Sequence, residues 1–136
     1  LGLMGMEADG LHFGISVRSC IASQKEMMVQ KVRAILTSAR GTMTERGNYP
    51  GWQYARQSVL RDDALAAYQA VTGKEGGIEA THGGLECGLF LEKIPGLDAI
   101  SMGPELHDVH SVQERLNVAS TQRVYAVTCE LLKRSR

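Results

Sequence analysis

His82-Gly83-Gly84-Leu85-Glu86-Cys87-Gly88-Leu89-Phe90 is the stretch on which the reading of the fold turns. It follows a short strand-like run, Ile78 to Thr81, and opens a short helical run, Leu85 to Leu91. Paired glycines there let a backbone approach a ligand closely, and the start of a helix favours an anion. On glycine content alone, a tight strand-to-helix turn is the better reading. Working outward, Ser58 to Val71 is helical, with Leu60, Ala64, Leu65, Tyr68 and Val71 on one side and Gly73 as its stop. Leu97 to Met102 is an apolar run short enough for a buried strand, and Gly103 to Gln113 is a loop holding two histidines. Ala119 to Lys133 is a closing amphipathic helix on Val124, Val127, Cys129 and Leu131. Helices alternating with buried strands imply an α/β layer that lacks its beginning.

The part before Tyr54 has a different rhythm. Leu1 to Met6 and Leu11 to Cys20 read as strands around Glu7-Ala8-Asp9-Gly10, whose Asp-Gly pair suits a tight hairpin. Leu11, Phe13, Ile15 and Val17 alternate with His12, Gly14, Ser16 and Arg18, which puts Arg18 on the polar face. Ser23-Gln24-Lys25-Glu26 reads as a capping box. Met28, Val32, Ile35 and Leu36 then form a helical stripe that ends at Gly41. Thr42 to Arg46 is a further strand candidate, and Asn48-Tyr49-Pro50-Gly51-Trp52 is a rigid turn carrying the single tryptophan. Strand, strand, helix, strand is the later part of a ferredoxin-like unit, with one helix and one strand absent upstream. Leu1 opens the chain inside an apolar stretch where a gene product starts with Met, so the start reads as a cut.

The 136 residues carry 43% apolar and 22% charged side chains, ordinary values for a folded domain. Fifteen basic residues balance fifteen acidic ones, so no net field draws the chain to nucleic acid or an anionic membrane. Cys20, Cys87 and Cys129 are an odd number without close-paired spacing, which fits a reducing cytoplasm better than a disulfide framework. No apolar run approaches the length of a membrane span.

Taken with Tyr49-Pro50-Gly51-Trp52-Gln53, Ser101-Met102-Gly103-Pro104 and His110-Ser111, the run from His82 to Phe90 resembles the aminoacyl-histidine dipeptidase family. These are the bacterial carnosinase-like members of the two-zinc aminopeptidase and deacylase superfamily, and the similarity runs through nearly the whole chain in the family's own order. The resemblance implies an α/β zinc-peptidase catalytic domain interrupted by a smaller α+β lid. Residues 1–54 are then the second part of a ferredoxin-like lid or dimerisation domain, and residues 55–136 the C-terminal part of the catalytic domain.

The resemblance also assigns roles. His110 matches the family's final zinc-ligand histidine; imidazole is a neutral nitrogen donor suited to zinc, and Asp108 or Glu114 is positioned in sequence to orient its other ring nitrogen. Without that context a lone loop histidine reads as solvated, as His107 does. Arg18 matches an arginine expected on the substrate carboxylate, where a guanidinium fork binds through two parallel hydrogen bonds. Gly84 matches a glycine whose backbone lies beside substrate. Glu86 is not the general base, because the catalytic glutamate and the remaining ligands of the two zinc ions lie upstream in the family. The family's Ser-Pro-Asp-Glu after the histidine is Ser111-Val112-Gln113-Glu114 here, which removes a proline that stiffens the loop and a charge.

The expected function is therefore part of a cytoplasmic zinc metallopeptidase hydrolysing Xaa-His dipeptides. The chain alone is expected to be inactive, with a dipeptide substrate, no nucleic-acid or membrane partner, and a tendency to self-associate. The alternatives are a non-catalytic lid-like module that dimerises or binds a partner, and another hydrolase of the superfamily, a deacetylase or tripeptidase.

Overall fold

The computed structural model describes residues 2–81 and 86–134. Two compact units emerge: Leu1–Tyr54 with Thr81–Glu92, and Ala55–Ala80 with Lys93–Arg136. Thr81–Glu92 thus packs with the first unit although it follows residue 55. The architecture is mixed, with four helices and two small antiparallel hairpins among the described residues.

In the first unit, β1 (Leu3–Glu7) pairs with β2 (Gly10–Gly14) from Leu3↔Gly14 to Glu7↔Gly10. The connection is Ala8-Asp9, and Gly10 adopts a φ of 144° that a side chain would strain. The strand expected to reach Cys20 ends at Gly14, and the alternating residues bury no face: Leu11 is 58% and Phe13 45% exposed. Helix α1 (Ala22–Ser38) starts after Ile21 with no side-chain cap, so the Ser23 capping box does not form; Ser19 Oγ instead accepts from the Ile21 N–H at 3.1 Å. Its half-buried stripe is Lys25, Val29, Val32 and Leu36, rotated from the expected one, and Met28 and Ile35 face outward. The rotation has a partner: Lys25 Nζ donates to Asn48 Oδ1 at 2.7 Å and to the Tyr49 carbonyl, drawing that face onto the Asn48–Gly51 turn.

That turn is seated tightly. A Cβ at Gly51 would lie 2.5 Å from the Cys20 carbonyl oxygen, and one at Gly88 would lie 3.0 Å from the Pro50 carbonyl oxygen. Gly88 belongs to α3 (Glu86–Lys93); the approach at Gly51 excludes any side chain, and the one at Gly88 would admit a Cβ only if its neighbour shifted.

The second unit is built on α2 (Val59–Thr72) and α4 (Val118–Arg134). Ala67, Val127 and Leu131 are its buried apolar residues, with Leu60, Ala64, Tyr68 and Ile100 packed around them. Ser58 caps α2 by accepting from the Arg61 N–H at 3.0 Å, and Gly73 closes it in the left-handed conformation at φ 70°. Asp98 completes this cap from far along the chain. Its Oδ1 accepts from the Ser58 hydroxyl at 2.7 Å, and its Oδ2 accepts from the Leu60 N–H at 3.0 Å. The Leu60 N–H and then the Ser58 hydroxyl hold the Asp98 carboxyl below its usual range, against partial desolvation.

No strand forms at 42–46, 78–81 or 97–102. A strand exists only through a partner, and none of the described residues pairs with these segments. The hairpin that does form, β3 (Leu106–His107) with β4 (Arg115–Leu116), lies around the stretch read as a histidine loop.

Asp98→Ala removes an N-cap partner and should destabilise the second unit by about 1–2 kcal/mol at pH 7. Because the folded carboxyl ionises below its unfolded value, its stabilisation is complete above about pH 4 and disappears as pH falls through the lower folded value. Urea unfolding at stepped pH should show parent and variant converging in that acid range.

The chain exposes 10922 Å². Two separate globules, each of half its 14.8 kDa mass, would expose about 8,400 Å² together by the usual mass scaling. Leu3, Met4, Met6, Leu11, Phe13 and Ile35 contribute much of the apolar excess in the first unit, and surfaces of that kind associate. Light scattering of the 136-residue chain should accordingly give a mass above the monomer's.

Candidate functional site

The loop carrying His110 hangs from the start of α4. Asn117 caps that helix, its Oδ1 accepting from the Ser120 N–H at 3.1 Å. Ser120, only 3% exposed, accepts from the Glu105 N–H at 2.9 Å and donates to the Asn117 carbonyl at 2.8 Å. The Glu105 carboxylate accepts from Asn117 Nδ2 at 2.7 Å and from Arg123 Nη2 at 3.0 Å, while its carbonyl accepts from the Asn117 N–H. Glu105 is thereby fastened by backbone and side chain, and β3 leaves it in a fixed direction.

Between β3 and β4 the chain is held from within. Ser111 donates both its N–H and its hydroxyl to the Asp108 carbonyl, at 3.2 and 2.7 Å. The same hydroxyl oxygen accepts from the Gln113 N–H, and the Ser111 carbonyl accepts from the Glu114 N–H. Asp108 and Arg115 pair at 2.7 Å, an exposed ion pair worth about 1 kcal/mol at most. Asp108 and His110 both sit in the left-handed region, at φ 52° and 65°. That region costs roughly 1–2 kcal/mol for a residue with a Cβ, and the costs cluster here, on and beside the histidine that the sequence singles out.

Glu114 Oε2 accepts from the His110 backbone N–H at 2.9 Å. Neither carboxylate proposed to orient the imidazole does so: Glu114 is on the amide and Asp108 on Arg115. The His110 side chain is exposed, and no hydrogen bond from its ring to another described residue is formed. His107 is not in a loop; it lies in β3 opposite Arg115.

Arg18 belongs to the first unit, in the irregular segment between β2 and α1 rather than on a strand face. Its guanidinium is exposed and makes no ion pair among the described residues. His110 belongs to the second unit. Gly84, like His82, lies outside the described residues. Glu86 stands exposed in the first turn of α3.

Glu7, Asp9 and His12, a group that sequence reading did not raise, bring ligand atoms within 4.8 Å of one another on the first hairpin. His12 Nε2 lies 3.0 Å from Asp9 Oδ1, and this hydrogen bond holds the Asp9 carboxyl below its usual range. The two-residue turn produces the grouping, and the Asp-Gly signal was the available clue. All three residues are exposed.

No family model matches the chain. Along 133 residues, 98% of its length, it is 31% identical to a cytosol non-specific dipeptidase of Escherichia coli strain K12, of which it spans 27%. Its fold matches the crystal structure of an aminoacylhistidine dipeptidase from Vibrio alginolyticus with a TM-score of 0.69. That match covers 85% of this chain and 24% of the other, at 29% identity. Fold and sequence are similar to a segment of these dipeptidases. The two likenesses support a fragment of the family that they represent, spanning about a quarter of their length.

Proposed function

We propose that the chain forms one portion of a zinc-dependent dipeptidase acting on dipeptides, with Xaa-His compounds of the carnosine type as the favoured class. The observation that carries this reading is the likeness to a dipeptidase along 98% of the chain; the structural relative's name adds the aminoacylhistidine preference. Residues 1–54 would be the later part of the lid and residues 55–136 the last part of the catalytic domain. A cytoplasmic setting fits the cytosolic relative. No helix of the described residues is long and apolar enough to cross a membrane.

The donor set supports one zinc ligand. His110 offers an exposed imidazole from a loop fastened at both ends, and no other described metal-binding side chain joins it in a cluster. It therefore fits zinc as one ligand among several, the others and the general base coming from other parts of the enzyme. A zinc pair, when bound, polarises the scissile carbonyl and acidifies a bound water. Arg18 would hold the substrate's terminal carboxylate through paired N–H donors, fixing which peptide bond is presented. Gly84 would let backbone lie against substrate. The alternative, a lid-like module that only associates, draws on the exposed apolar residues of the first hairpin.

In a full-length dipeptidase carrying this chain, His110→Ala should lower zinc content and reduce turnover by at least about a hundredfold, read by metal analysis and peptide hydrolysis. Arg18→Ala should retain zinc and raise KM for free-carboxylate dipeptides by roughly tenfold or more, with little effect on C-terminally amidated ones. Equal losses on both peptide types would remove Arg18 from carboxylate binding.

A further inference from the structure

We infer that Glu114 is a positioning residue for His110, acting through the histidine's backbone amide rather than its ring; this rests on His110 being a metal ligand, as proposed above. Glu114 Oε2 takes the His110 N–H at 2.9 Å, four residues back across the loop. A carboxylate on a backbone amide is a charge-assisted bond, stronger than a neutral one. It acts at the residue that most needs holding, since His110 is at φ 65°. The ordinary negative-φ conformation would release the N–H to water and point the Cα–Cβ bond, and with it the imidazole, in another direction.

The rest of the loop supports this division of labour. Ser111 fixes Asp108 and Gln113, and Arg115 fixes Asp108, but neither touches the His110 amide. The side-chain acceptor that decides the histidine's own backbone conformation is Glu114 alone among the described residues. The ring remains free to present a nitrogen outward while its base is locked. A ligand residue pre-set in direction loses less freedom when metal binds, so removing its support weakens the metal even though no ligand is lost.

The test compares Glu114→Ala and Glu114→Gln with His110→Ala in a full-length dipeptidase carrying this chain. Zinc affinity is measured by chelator competition, and exchange of the His110 amide is followed in the metal-free protein. Glu114→Ala should weaken zinc roughly 10- to 100-fold and speed His110 amide exchange by roughly tenfold. Glu114→Gln keeps an acceptor oxygen without the charge and should lose clearly less than Glu114→Ala in both. Parent-like zinc affinity and exchange in Glu114→Ala, or equal losses in the Ala and Gln variants, would overturn the inference. Unchanged zinc in His110→Ala would instead sink the ligand reading, while the amide exchange would still decide whether Glu114 holds the loop.

Discussion

Ala67 is fully buried where α2 meets α4, and its small side chain lets Val127 and Leu131 close over it. A larger residue at that contact would separate the helices in an interior that tolerates little added volume. The second unit follows from this seam. Asp98 reaches back to cap α2, which draws the segment before β3 toward the same core that Ile100 joins. At the start of α4, Asn117 and Ser120 bind Glu105 and so fix where the histidine hairpin leaves the helix. The root of the hairpin that carries His110 is thus fixed at the start of α4.

The loop itself shows how a short sequence can concentrate left-handed backbone and the contacts that hold it. Two residues with side chains occupy left-handed backbone within three positions. The Ser111 hydroxyl donates to the Asp108 carbonyl and the Glu114 carboxylate accepts from the His110 N–H, which holds them there. Val112, between Ser111 and Gln113, is 96% exposed, and the polar contacts around it hold the loop.

Among its described residues, the first unit shows close backbone approaches and no apolar side chain that is fully buried. Gly51 against Cys20 and Gly88 against Pro50 bring a turn and a helix together, while the hairpin residues around Met4, Met6 and Phe13 remain open to solvent. Contiguous exposed apolar surface of that kind is uncommon on monomeric proteins.

The helices were legible in the sequence because their hydrogen bonds and stops are local. Ser58 and Gly73 bound α2 as their chemistry requires, and α4 follows the stripe through Val127 and Leu131. The first hairpin was legible from Asp9-Gly10, although only as far as Gly14 finds a partner. The strands expected at 42–46, 78–81 and 97–102 were not decided locally, because an apolar run becomes a strand only where another backbone receives its hydrogen bonds. Conversely, Leu106–His107 and Arg115–Leu116 are too short to read as strands, and they pair because Glu105 and Asn117 are held together at the foot of α4. His110 stood out by its likeness to a known motif. The sequence determined that a histidine, a serine and a glutamate lie within five residues; tertiary structure decided that the glutamate holds the backbone and leaves the ring free, because the loop's fold determines which donor a carboxylate can reach.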